Sequence, residues 1–334
     1  MQTAITVLGA GSWGTALAIL IARNGHPTLL WGHDPEHIRK LDAQRENRRY
    51  LSGFPFPEHL QVTADLHKAA AFSNLLLISV PSKAFASTLC KLKPFLTGNT
   101  KLTWATKGFC PENGPLLHQC VETLISRNIP SAVLSGPTFA REVAADLPTA
   151  ITIASEQSEF AKQFAGILHN QRFRVYTSTD ITGVQVGGAV KNVLAIAAGI
   201  ADGLGFGANT RTALITRGIN EMMRLGIKMG GKPETFMGLA GMGDLILTCT
   251  DNQSRNRRFG LALGKGTNRE QIYRDIDQEI EGISATRITY QLAHKYALDM
   301  PIIEQTYKVL NTDITPLEAV RNLLQRERKA EMMH

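Results

Sequence analysis

Lys191 is the only charged residue between Asp180 and Asp202, in a stretch, GVQVGGAVKNVLAIAAGIAD (Gly183 to Asp202), that reads as one helix of apolar and small residues. Its same-face neighbours, three and four positions away, are Gly187, Gly188, Leu194 and Ala195, and none is an acid. A surface lysine laying its stem along apolar residues is the ordinary explanation. The small neighbours point elsewhere, because they leave room for a ligand or another element. A lysine whose pKa is lowered from about 10.4 by burial or a second cation can both give and take a proton near neutral pH. Asn192, beside it, can hydrogen-bond a substrate or orient the site.

Other residues suit the same chemistry. Asp244 in GMGDLILTC is an acid in an apolar helical segment, and a buried acid is costly unless paired, so it is expected to hold Lys191 or a substrate hydroxyl. Thr248 shares its helix face. Lys107, in ATKGF after a strand, is a candidate for the second cation, with a solvated loop lysine as the alternative. SGPTFARE offers backbone amides and the Thr138 hydroxyl after another strand. The run SRNRRFG places Ser254, Arg255 and Asn256 together, and a phosphate monoester favours an arginine fork with amide and hydroxyl donors. Arg257 and Arg258 are read as surface residues, and RENRRY (Arg45 to Tyr50) as a solvated surface.

These groups need elements to hold them. VLGAGSWGTALA sets Gly9-x-Gly11-x-x-Gly14 between a strand signal and a helix signal. Gly9 permits the tight turn, Gly11 the approach of a pyrophosphate and Gly14 close helix–strand packing, with the helix N-terminus aimed at the phosphates. The second strand ends in WGHDPE, with His33 where an acid would bind a ribose 2′-hydroxyl and Asp34 one residue later, which tilts the choice toward accepting NADP. Apolar strands alternate with helices up to FRVYTS (Phe173 to Ser178). That pattern predicts a mostly parallel sheet covered on both faces. From about Ile181 the signals are helical. The expectation is a Rossmann-type α/β nucleotide-binding domain over 1–182 and an all-α substrate domain over 183–334.

A chain of 334 residues can bury two cores. Its net charge of +7 is compatible with anionic substrates or nucleic acid, but no nucleic-acid-binding signature accompanies it. Four cysteines (Cys90, Cys110, Cys120, Cys249) without metal-ligand spacing suggest no metal and a reducing, cytoplasmic setting. The N-terminus carries no basic leader, so no signal peptide is expected. The Lys191 helix is long enough for a membrane span, but its glycines, Gln185, Lys191 and Asn192 argue against one. A homodimer is a candidate assembly.

The blocks VLGAGSWGTALA, WGHDPE, ISVPS, ATKGF, LSGPTFAREVA, GAVKNVLAIAAGIADGLGFGANTRTALITRG, GLAGMGDLILTC and SRNRRFG, in that order, resemble the NAD(P)-dependent glycerol-3-phosphate dehydrogenases over nearly the whole chain. The resemblance implies a helical half like that of 6-phosphogluconate dehydrogenase. It also implies the interconversion of sn-glycerol 3-phosphate and dihydroxyacetone phosphate with NAD or NADP, which supplies glycerophospholipid backbones. It makes Lys191 the proton donor and acceptor, with Asn192 and Asp244 in the catalytic set. Substrate contacts carry over to Lys107, Gly136, Thr138, Thr248, Ser254, Arg255 and Asn256. Cofactor contacts carry over to Gly9, Gly11, Ser12, Trp13, Gly14, His33, Lys107, Ala140, Arg255 and Glu281. Histidine at 33 departs from the arginine common there. The competing readings are a 6-phosphogluconate or 3-hydroxyacid dehydrogenase, which shares the two-domain plan, and a non-catalytic nucleotide sensor, which needs no proton-transfer lysine.

Overall fold

The computed structural model describes residues 2–110 and 116–327. Among them are strands β1 (Ile5–Leu8), β2 (Thr28–Trp31), β3 (Glu46–Asn47), β4 (Leu51–Pro55), β5 (Leu60–Thr63), β6 (Leu75–Ile78), β7 (Lys101–Trp104), β8 (Ser131–Ser135), β9 (Thr149–Ala154) and β10 (Phe173–Ser178). Eight of these form one sheet in the order β10-β9-β8-β7-β6-β1-β2-β5, parallel except where β8 meets β9. β1, β2 and β6 are buried along their whole length, which is why they read as nearly continuous apolar runs, broken only by Thr6 and Thr28. Helices α1 (Ser12–Arg23), α2 (Pro35–Gln44), α3 (Leu66–Phe72), α4 (Ser82–Leu92), α5 (Leu117–Leu124), α6 (Ala140–Ala144) and α7 (Ser158–Leu168) alternate with the strands.

The run 45–50 is a solvated surface at Arg48 and Arg49, as its charges suggest, but not at Arg45 and Asn47. Arg45 donates to the carbonyls of Leu60 and Pro57, both at 2.8 Å, tying down β5. Asn47, in the β3–β4 hairpin, is fully buried, and its amide donates to Ala10 O (3.0 Å) and Thr15 Oγ1 (2.8 Å). One side chain from a polar run therefore braces the glycine turn. The pattern of charges hid it because a two-residue strand has no periodicity to read.

After β10 the chain is helical: α8 (Ile181–Gly203), α9 (Ala208–Lys228), α10 (Pro233–Met237), α11 (Asp244–Thr250), α12 (Arg255–Gly264), α13 (Arg269–Ile276), α14 (Glu281–Lys295), α15 (Pro301–Asn311) and α16 (Pro316–Leu324). α8 is apolar on every side because α9, α11, α12 and α14 pack around it. It is long and apolar enough to cross a membrane, yet the whole apolar window is buried inside the protein. Asp180 caps it through Gly183 N and also accepts from Lys232 N and Thr235 Oγ1. α8 and α12 cross at backbone distance: a Cβ on Gly199 would lie 2.2 Å from Arg257 O, and one on Gly260 2.1 Å from Ile196 O.

Candidate active site

A cavity of about 1220 Å³ lies between the carboxyl ends of the strands and the helices α11, α12 and α14. Open α/β sheets bind ligands at this edge. The glycine turn forms one end. A Cβ on Gly9 (φ +125°) would sit 2.5 Å from Ser79 O, and one on Gly14 1.9 Å from Gly9 O, whereas Gly11 faces open space. Gly11 N-caps α1 with no side chain over the helix end. Trp13 Nε1 is buried without a hydrogen-bond partner. An approachable helix N-terminus with an unused donor beside it fits a pyrophosphate.

Lys191 is 6 % exposed, at the other end of the cavity. Its ammonium donates to Asp244 Oδ1 and, at 3.0 Å, to Thr248 Oγ1, which in turn donates to Asp244 O at 2.6 Å. Asp244 Oδ2 accepts from Lys107 Nζ at 2.7 Å, and Lys107 also donates to Gly136 O at 3.0 Å. One carboxylate thus holds two ammoniums, one on each oxygen. Burial lowers the Lys191 pKa to about 7, with Lys107 pushing the same way and Asp244 opposing. A π-helical turn, Leu239–Gly243, leads directly into α11, whose first residue is Asp244, buried behind the two lysines. In that turn a Cβ on Gly241 would meet Phe236 O at 2.2 Å, so glycine is required there by packing.

The remaining expected residues fall around this pair of ends. Asn192 donates to Gly188 O (3.3 Å) and accepts from Asn256 Nδ2 (2.9 Å), whose Oδ1 accepts from Gly282 N (2.9 Å). This amide chain joins α8, α12 and α14. Ser254 N-caps α12 by accepting from Arg257 N at 3.2 Å, and Ser254, Arg255 and Asn256 all line the cavity. Thr138 lines it too and donates to Gly136 O, and Ala140 stands at the start of α6. Glu281 accepts from Ser82 N (3.0 Å) and Ser82 Oγ (2.5 Å), and burial raises its carboxyl pKa. His33, itself exposed, lines the cavity two residues beyond the end of β2. Asp34 lines the cavity beside it, with its Oδ1 capping α2 through Glu36 N and His37 N.

The surface reading fails at Arg257 and holds at Arg258 and Arg49. Arg257 is not at the surface: it is 7 % exposed and bonded to Cys249 O, Asn252 and Asp202. Arg258 is exposed, but it borders the cavity. Arg49 and Tyr50, from the run read as solvated, also line the cavity beside His33 and His37. The rings of His37 and Tyr50 meet edge to face at 5.2 Å, and His37 Nε2 is buried without a partner. Ser82 was missed as well, because nothing local marks a serine that will meet a glutamate 199 positions away.

Comparison with known proteins agrees over both halves. Residues 4–161 match the family model for the NAD-dependent glycerol-3-phosphate dehydrogenase N-terminus, and residues 180–321 that for its C-terminus. The glycerol-3-phosphate dehydrogenase (NAD(P)+) of Colwellia psychrerythraea is 57% identical, with 98% of each chain covered. That of Methylococcus capsulatus is 56% identical over 99% of each. The crystal structure of glycerol-3-phosphate dehydrogenase from Coxiella burnetii matches with a TM-score of 0.94 and 49% identity, covering 97% of this chain and 99% of that one.

Proposed function

We propose a division of labour in the cleft from one premise: the chain belongs to the NAD-dependent glycerol-3-phosphate dehydrogenase family. It is an oxidoreductase that interconverts sn-glycerol 3-phosphate and dihydroxyacetone phosphate with NAD or NADP, a route to glycerol 3-phosphate for lipid synthesis. Gly9, Gly11, Ser12, Trp13 and Gly14 hold the dinucleotide's pyrophosphate, His33 its adenosine ribose, and Ala140, Arg255 and Glu281 its remaining length. When bound, the nucleotide supplies or accepts the hydride at the substrate's central carbon.

The protein's own chemistry is the proton. In reduction, the Lys191 ammonium protonates the carbonyl oxygen as it becomes an alkoxide; in oxidation, the neutral amine takes the hydroxyl proton. A pKa of about 7 lets one residue serve both directions. Lys107 makes this titration tolerable. When Lys191 is neutral, Asp244 still has the Lys107 ammonium at 2.7 Å, so no carboxylate is left buried and unpaired. Asp244 and Thr248 fix the amine's direction. Ser254, Arg255 and Asn256 receive the phosphate at the N-terminus of α12, where helix amides favour an anion. Lys107, Gly136 and Thr138 complete the substrate contacts, and Asn192 orients the set.

The observation that carries this reading is that Lys191 and Lys107 line the cavity that the glycine turn closes while sharing one buried carboxylate, Asp244. Nucleotide oxidation with dihydroxyacetone phosphate, run separately with NADH and NADPH, tests it; turnover with neither would overturn it. The division at 182/183 has the start of α8 at Ile181 in its favour. Cytoplasmic placement has the unpaired state of Cys90, Cys110, Cys120 and Cys249 in its favour. A homodimer is the assembly to test by light scattering.

A further inference from the structure

Arg257 stands two residues from Arg255 and faces the opposite way. Its guanidinium spreads over three separate pieces of chain: Nε donates to Cys249 O in the last turn of α11 (3.0 Å), Nη1 to Asn252 Oδ1 in the following loop, and Nη2 to Asp202 Oδ2 near the end of α8 (2.6 Å). Its backbone N–H is the one that Ser254 Oγ accepts. Asp202 is itself buried (8 % side-chain exposure) and receives Arg211 Nη1 from α9 on both carboxylate oxygens. A buried guanidinium needs a counter-charge and acceptors for its donors, and here it has the Asp202 carboxylate and an acceptor on each of its three nitrogens.

We infer that Arg257, with Asp202 as its counter-ion, is a positioning residue that sets the distance between the substrate-phosphate donors and the proton-transfer lysine. This rests on the reading of Ser254, Arg255 and Asn256 as the phosphate site. Those residues sit on the first turn of α12 and the loop before it; Lys191 sits on α8. The glycine crossing of α8 and α12 fixes how close the two helices lie, at Gly199 and Gly260. The 251–254 loop makes turn bonds of its own, Ser254 N to Asp251 O at 3.2 Å and Gln253 N to Asp251 Oδ1 at 2.7 Å, and the Asp202–Arg257–Asn252 bonds hold that turn to α8. A phosphorylated ketone has a fixed span from phosphorus to carbonyl carbon. If the phosphate donors shift relative to α8, the carbonyl is carried off Lys191. An unphosphorylated ketone has no such anchor and does not register the shift.

The test compares dihydroxyacetone phosphate with dihydroxyacetone at saturating nucleotide in Arg257→Lys, Asp202→Asn and Arg255→Ala. Lysine keeps the charge but cannot reach three partners at once. With Arg257→Lys and Asp202→Asn, kcat/KM for the phosphorylated ketone is expected to fall about ten- to hundredfold. Dihydroxyacetone turnover should stay within about twofold, because small misplacements act only through an anchored substrate. Equal losses on both ketones in the two variants would mean a merely structural role and overturn the inference, as would no loss on either. A preference for the phosphorylated ketone that is lost in Arg255→Ala but kept in both other variants overturns this inference alone. A preference that survives Arg255→Ala overturns the phosphate reading, and this inference with it.

Discussion

At the reaction end of the cleft, every polar atom of the Lys191 set has a partner within the protein before any ligand arrives. Lys191 and Asp244 are buried, Lys107 nearly so, and three elements converge on one carboxylate. At the β2 end, His33 and Arg49 are exposed side chains along the cavity wall, Tyr50 is half-buried, and Asp34 caps α2 through one carboxylate oxygen. The first end is pre-organised, so its groups do not have to reorganise as charge moves in the transition state. The second end can bend to what it meets, and its charges act through water and salt. Changes at the first end should therefore cost orders of magnitude in turnover, and changes at the second should alter which nucleotide is preferred.

The largest effect is expected from Lys191→Ala. Loss of the proton donor should lower turnover by roughly two to four orders of magnitude, while nucleotide affinity stays nearly constant. A variant that keeps a tenth of its activity would remove Lys191 from the mechanism. Next comes Arg255→Ala. Losing a charge-assisted bond costs about 1.5–3 kcal/mol, so kcat/KM for dihydroxyacetone phosphate should drop by roughly one to two decades with little change for dihydroxyacetone.

Lys107 belongs to the reaction end. That cation pushes the Lys191 pKa down, so Lys107→Met should let it rise above about 7. Asp244, no longer shared, pushes in the same direction. Oxidation needs the neutral amine, so its acid limb should move to higher pH and the rate at pH 7 should fall. Reduction needs the ammonium, so its alkaline limb should also move to higher pH. Rate profiles in both directions check this, and limbs that stay in place would show that Lys107 does not act on Lys191.

The two ends also differ in how much of them the amino-acid order revealed. Lys191 and Asp244 stood out because each is a charge in an apolar run, and burial of a charge demands a partner or a task. The glycine turn was legible because each glycine has a distinct steric reason. Arg49, Asn47 and Arg257 were not. A cluster of arginines carries no direction by itself, and which one turns inward depends on where the opposite charge lies: for Arg257, Asp202 is 55 positions away. The short strands β3, β4 and β5 were missed for a related reason, since their stability comes from pairing and side-chain ties rather than from periodicity.

The smallest and most selective effect is expected at His33. Both NADH and NADPH should be used by the wild type, because His33 does not repel a 2′-phosphate as an acid would, nor clamp it as a fixed arginine fork does. Arg49, on the same stretch of wall, adds a positive group there. The change His33→Asp places an anion where the 2′-phosphate would lie and a hydrogen-bond acceptor where a 2′-hydroxyl would lie. NADPH should therefore weaken by about a decade at low ionic strength, while NADH holds or improves slightly. Because the site is exposed, the NADPH penalty should shrink as salt is raised, whereas the loss in Lys191→Ala should not respond to salt. Titration of both nucleotides at two ionic strengths measures this directly. Equal weakening of NADH and NADPH in His33→Asp would show that this end of the wall does not face the 2′ position.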